Sequence, residues 1–159
     1  IESNTMEFSF CSVSLHRVLN EIGSAQRINM REGVELLLDL PGQEVTVYTD
    51  PARLSQVINN LVNNAIKFTS EGNIRIGYRP AASGYVNIFV EDTGTGMSRE
   101  VLEHIFDRFY KGDSFKQGTG LGLSICKTIV KRFEGKIEVT STPGKGTCFT
   151  ITLPLKVEE

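Results

Sequence analysis

Long apolar runs are missing from this chain. No stretch approaches the ~18–20 residues that cross a bilayer as a helix, and the longest run, Val34 to Leu40, is broken by Glu35 and Asp39. The opening Ile1-Glu2-Ser3 lacks a basic start ahead of an apolar stretch, so no signal peptide is expected. A first residue other than Met makes a piece of a longer protein the expectation. Closely spaced metal ligands are also missing: Cys11, Cys126 and Cys148 form no C-x-x-C pair, and His16 and His104 are the only histidines. The expectation is three reduced thiols packed as small hydrophobes, with neither a disulfide framework nor a metal cluster. Basic charge is not in excess. A net charge of -2 creates no global field to draw nucleic acid, which is not expected as a partner. Repeats and low-complexity tracts are absent as well.

What is present fits one compact domain. The 159 residues are 40% hydrophobic and 23% charged, enough for a core of useful size. Residues 1–10 show no period and read as a lead-in, with 1–7 as a linker remnant, the domain counted over 8–156 and 157–159 as a tail. From Val13 the apolar residues Val13, Leu15, Val18, Leu19 and Ile22 recur at helical spacing, with Ser12 or Ser14 as the cap. Val34 to Leu40 and Val45 to Tyr48 read as strands. Asp50-Pro51 opens a long helix, Asp as cap and Pro at the first turn, running to about Thr69. Glu71-Gly72-Asn73 reads as a turn, and Ile74 to Tyr78 with Tyr85 to Glu91 as an antiparallel pair joined by a loop over 80–84. Ser98 opens a short helix, Leu121 to Phe133 forms another, and Gly135 to Thr140 with Thr147 to Leu153 close the chain around a Pro143–Gly146 turn. The mixture is an α+β layout, with helices on one face of a mixed sheet.

Four segments carry chemistry. Asn60, Asn64 and Lys67 recur on one face of the long helix, where amides and a lysine suit anionic oxygens and a hydrated Mg2+. Asp92-Thr93-Gly94-Thr95-Gly96 follows a strand; its carboxylate can accept from an exocyclic amine, and its glycines permit close backbone approach to a flat ring. Gly118-Thr119-Gly120-Leu121-Gly122-Leu123 opens a helix whose bare amides suit phosphate. No strand precedes it, which excludes a dinucleotide fingerprint, and no Gly-Lys-Ser/Thr follows, which excludes a P-loop. Gly144-Lys145-Gly146-Thr147 is a hairpin turn from which Thr147 can reach a ligand. Taken singly, each has a plainer reading, as a solvated helix face or a turn that needs glycine.

In order and together, these segments resemble the boxes of the sensor histidine kinase catalytic domain. Asn60 to Phe68 resembles the N box, Asp92 to Gly96 the G1 box, Ile105-Phe106-Asp107-Arg108-Phe109-Tyr110 the F box, Gly118 to Leu123 the G2 box, and Gly144 to Thr147 the last glycine turn. The resemblance implies a Bergerat-fold two-layer α/β sandwich: a mixed, mostly antiparallel sheet covered on one face by three helices, with a flexible ATP lid. It implies Mg-ATP as ligand. Asn60, Asn64 and Lys67 would meet phosphate, with Asn64 the metal ligand. Asp92 would take the adenine amine, Gly94 and Gly96 would line the base pocket, and Phe106 and Phe109 would anchor the lid. Gly118, Thr119, Gly120, Leu121, Gly122 and Leu123 would wrap the triphosphate, with Thr147 in reach. Arg108 or Lys111 would set a positive charge near the γ-phosphate.

The implied activity is transfer of that phosphoryl group to a histidine on the dimerisation hairpin of a parent sensor kinase. A receiver domain would act downstream. The domain would be cytoplasmic and monomeric by itself, within an inner-membrane parent. Relatives of the gyrase and Hsp90 type carry a general-base glutamate where this chain has Asn60, a departure that disfavours intrinsic ATP hydrolysis. His16 and His104 lack the sequence around the family's phosphoacceptor histidine and read as ordinary helix residues. The rival reading is a docking module that binds ATP without transferring phosphate.

Overall fold

The computed structural model describes residues 7–107 and 122–155. Strand β1 (Cys11–Ser14) leads directly into helix α1 (Leu15–Arg27). Strands β2 (Val34–Asp39) and β3 (Thr46–Thr49) precede helix α2 (Pro51–Phe68). The hairpin β4 (Gly72–Ala81) and β5 (Tyr85–Asp92) comes next, then the short helix α3 (Arg99–His104). Helix α4 (Gly122–Arg132) and the hairpin β6 (Lys136–Thr142) and β7 (Gly146–Pro154) complete the fold.

The main sheet has five strands in the order β2-β4-β5-β7-β6. Its pairs are antiparallel except β2 with β4. A separate two-stranded sheet pairs β1 with β3. Helices α1, α2 and α4 cover one face of the main sheet, burying α1 through Leu15 and Leu19, α2 through Leu54, Ile58 and Leu61, and α4 through Ile129 and Val130. The expected α+β sandwich, three helices on a mostly antiparallel sheet, is the observed one.

Several local expectations are corrected. Val13 belongs to β1, not to the first helix, because its partner Val47 captures it in a sheet before the helix begins. The cap is Ser14, whose hydroxyl accepts the Arg17 amide. Gly72 and Asn73 begin β4 rather than forming a turn, since parallel pairing with Val34 and Glu35 extends the strand. The expected loop at 80–84 shortens to a tight turn at Ala82–Gly84. The thiols also differ: only Cys126 is buried, Cys11 being exposed and Cys148 partly so. Burial pushes the Cys126 thiol up to about 12, which leaves it a small hydrophobe.

Polar contacts fix how the helices sit. The Asp50 carboxylate caps α2 by accepting the Arg53 amide at 3.1 Å, and it also accepts the Ser9 amide at 2.7 Å. Phe8 and Phe10, within the expected lead-in, are packed edge-on against Phe133. The guanidiniums of Arg53 and Arg132 lie over the Phe8 ring. This cluster bridges the start of α2 and the end of α4. Gln26 of α1 donates to Asn59 at 2.8 Å and Asn63 at 3.3 Å, joining α1 to α2. On the sheet's other face Arg75 and Arg79 pair with Asp39, and Arg75 also with Glu91. The Arg79 hydrogen bond leads in holding the Asp39 carboxyl below its usual range, with Arg75 assisting. These side chains are part-exposed, so they contribute little to stability.

Tyr78 is fully buried. Its hydroxyl accepts the Val45 amide at 3.1 Å and hydrogen-bonds Nδ1 of His16. The Tyr78→Phe variant leaves both partners unsatisfied and is expected to lower the unfolding free energy by about 1–3 kcal/mol, measured by urea denaturation.

Candidate functional site

Strand β5 ends at Asp92, where the sheet, the C-terminus of α2 and the β6–β7 hairpin converge. Asp92 is 5% exposed. Its carboxylate accepts the Gly94 amide at 2.8 Å, and the Thr147 backbone amide also points to it. Burial pushes its pKa up, and those two amides offset part of the effect. Among the described residues no cation pairs with it. Two amide donors leave a carboxylate with lone pairs to spare.

The loop after Asp92 is held by backbone contacts. The Thr95 amide donates to the Phe68 carbonyl at 3.1 Å, and the Gly144 amide donates to the Thr95 carbonyl at 2.7 Å. A side chain at Gly94 would lie 2.2 Å from the Phe68 carbonyl oxygen. Gly96 has φ +73°, and its side-chain direction meets the Thr142 carbonyl oxygen at 2.1 Å. Both glycines therefore press on protein backbone, a requirement independent of any flat ring.

Helix α2 presents four asparagines with different partners. Asn59 and Asn63 bond Gln26. Asn60 Nδ2 donates to the Gly122 carbonyl at 3.4 Å and bonds the Cys126 thiol, tying α2 to the start of α4. Asn64 is 7% exposed, and its amide makes no hydrogen bond to a described residue. Lys67 lies part-buried in the last turn. Asn60, Asn64 and Lys67 share one side of the helix, as expected from their spacing.

Phe106 packs edge-on to Phe149 with centroids 6.2 Å apart, under the ammonium of Lys127. Gly122 begins α4, and its side-chain direction meets no described residue within 4 Å. Leu123 packs against the core. Arg108, Phe109, Lys111, Gly118, Thr119, Gly120 and Leu121 lie outside the described residues. Among the described residues, no cluster of three His, Cys, Asp or Glu could hold a metal, and no helix is long and apolar enough to cross a membrane.

One residue escaped the sequence reading. Ser141 accepts the Met97 amide at 2.8 Å, donates to the Gly146 carbonyl at 2.9 Å, and bonds the Thr147 hydroxyl at 2.8 Å. Its signal was available: it is a serine on the more buried side of an alternating strand, in line with Ile137 and Val139.

Comparison with known proteins agrees with this geometry. Residues 49–157 match the family described as histidine kinase-, DNA gyrase B- and HSP90-like ATPases. The adaptive-response sensory kinase SasA of Crocosphaera subtropica is 42% identical over 127 residues, covering 78% of this chain and 33% of SasA. The sensor histidine kinase RcsC of Escherichia coli is 44% identical over 119 residues, 72% of this chain and 12% of RcsC. The chain thus spans a third or less of these two relatives. Among solved structures, full-length ShkA in complex with AMPPNP superposes with TM-score 0.87 at 27% identity, covering 96% of this chain and 32% of that one. The nucleotide-free catalytic domain of histidine kinase ThkA gives 0.83 at 28% identity, covering 94% and 100%. The chain belongs to the family of histidine kinase-, DNA gyrase B- and HSP90-like ATPases, as a catalytic domain of the sensor histidine kinase type.

Proposed function

We propose that this domain, spanning residues 8–156, binds Mg-ATP and transfers the γ-phosphoryl group to a histidine on the dimerisation hairpin of its parent kinase, which in turn serves a receiver domain. The observation that carries the reading is the Asp92 carboxylate: buried, held by two backbone amides, without a cation among the described residues, and followed by a loop that lies against the C-terminal end of α2. A carboxylate with spare lone pairs in such a place suits the exocyclic amine of adenine.

The other residues take complementary parts. Asn60 and Lys67 would meet the phosphates. Asn64 offers a buried amide without a described partner, and its carbonyl oxygen suits Mg2+, which takes few protein ligands and shares the rest with phosphate and water. When bound, Mg2+ neutralises phosphate charge. Phosphoryl transfer of this kind rests on positioning and charge neutralisation. Asn60 cannot act as a general base and so does not activate a water, whereas an imidazole acceptor brings its own lone pair. Neither histidine of the chain is proposed as that acceptor: His16 lies in α1, where its Nδ1 meets Tyr78, and His104 ends α3, where its Nδ1 meets Asp107 at 2.8 Å, and neither stands in the sequence expected of a phosphoacceptor.

Four outcomes test this reading. Asp92→Asn turns an acceptor into a donor toward the amine and should weaken Mg-ATP binding about 10–100-fold by calorimetry. The same variant should not lose stability at neutral pH. A folded-state pKa above the unfolded one means that the protonated form is the favoured one, so Asp92's stabilising contribution is lost as pH rises through its folded pKa. The melting temperature of Asp92→Asn at neutral pH should therefore equal or exceed that of the parent chain. Asn64→Ala should erase the gain in ATP affinity that Mg2+ provides over EDTA, with binding in EDTA little changed. Radiolabelled Mg-ATP should label a separately supplied hairpin domain of the parent kinase, not this chain. A hairpin that stays unlabelled while ATP binds would replace the kinase reading with a nucleotide-gated docking module.

A further inference from the structure

We infer that Ser141 is a positioning residue that orients the Thr147 hydroxyl and so makes the site prefer a 6-amino purine over a 6-oxo purine. The inference rests on reading this site as a nucleotide pocket. Asp92, Thr147 and Ser141 form a row across three neighbouring strands. Asp92 of β5 is paired directly with Thr147 of β7, and Thr147 with Ser141 of β6. Paired residues point to the same face with Cβ atoms about 4.5–5.5 Å apart. Here that is the face toward the helices.

The protons in this row can be assigned by counting. A serine hydroxyl has one proton and two lone pairs. The Gly146 carbonyl can only accept, so the Ser141 proton goes there, at 2.9 Å. The Met97 amide can only donate, so it takes one lone pair of Ser141, at 2.8 Å. The third partner of Ser141 is the Thr147 hydroxyl, at 2.8 Å. One lone pair remains for it, so Thr147 is the donor. Its proton is thereby held on Ser141, and the Thr147 oxygen keeps its own lone pairs for another group.

Thr147 is only 5% exposed and stands beside the Asp92 carboxylate. The row therefore presents two acceptors together and no hydroxyl proton. An amino group with two hydrogens satisfies both. A carbonyl oxygen at the same position faces two acceptors and is repelled, which is discrimination by an unpaired polar contact. Without Ser141, the Thr147 hydroxyl is free to turn its proton toward the base, and a 6-oxo group gains a donor.

The test compares dissociation constants for ATP and inosine triphosphate, with Mg2+, across variants. The parent chain should favour ATP by at least about tenfold, the value of one hydrogen bond mismatched. Ser141→Ala should reduce that ratio several-fold. Thr147→Val leaves the bonds of Ser141 to Met97 and Gly146 in place and should reduce it similarly, which keeps the test open if Ser141→Ala folds poorly. Thr147→Ser retains the hydroxyl and should retain the ratio. If both Ser141→Ala and Thr147→Val weaken the two nucleotides equally, leaving the ratio intact, Ser141 is merely structural and the inference is overturned. A parent chain that does not discriminate also overturns it. A parent that binds neither nucleotide overturns the nucleotide reading itself, a failure distinct from the other two.

Discussion

The site depends on a close backbone crossing. The loop after β5 lies against the last carbonyls of α2, and Gly94 makes this possible because any side chain there would enter the Phe68 carbonyl. The crossing brings the Gly94 amide within 2.8 Å of the Asp92 carboxylate and sets that carboxylate beside α2. The β6–β7 hairpin closes on the other side, through the Gly144 amide and the Thr95 carbonyl. Burial of Asp92 is the result. A buried carboxylate costs stability unless something donates to its lone pairs, and that cost makes the position informative about a ligand.

Helix α2 carries this arrangement into the rest of the domain. Its apolar stripe sits on the sheet, while its asparagines divide the remaining sides: Asn59 and Asn63 toward α1, Asn60 toward α4, and Asn64 buried without a partner among the described residues. One residue type thus serves both packing and binding, according to the neighbour it meets. An asparagine bonded within the protein is a strut, and one without a partner among the described residues is available to a ligand.

The sequence carried much of this, unevenly. Helix α2 was legible because Asp50-Pro51 marks its start and its apolar residues keep period for five turns. The hairpins β4–β5 and β6–β7 were legible because their partners are close in sequence. Strand β1 was not: four residues are too few to show alternation, and Val13 falls in register with the following helix. The parallel pairing of β2 with β4 was hidden because it joins strands separated by β3 and α2. At the site, Asp92 and the asparagines were readable from type and spacing. The protein-facing reason for Gly94 and Gly96 was not, since a glycine looks the same whether it makes room for a ligand or for a carbonyl. Ser141 was missed because its importance lies in three bonds made by tertiary contact.

The aromatic cluster at the start of the chain separates two notions of a domain. The family model matches residues 49–157, a span that contains every residue assigned to nucleotide. Yet the Asp50 carboxylate that starts α2 also holds Ser9, and Phe8 and Phe10 seat against Phe133 at the far end of α4. Leu15 and Leu19 of α1 are fully buried in the same core. The span that the family model outlines is therefore smaller than the unit that must fold. A chimera joined at residue 49 would inherit the chemistry and leave an apolar wall open to water, whereas a join made ahead of Phe8 would move the whole body intact.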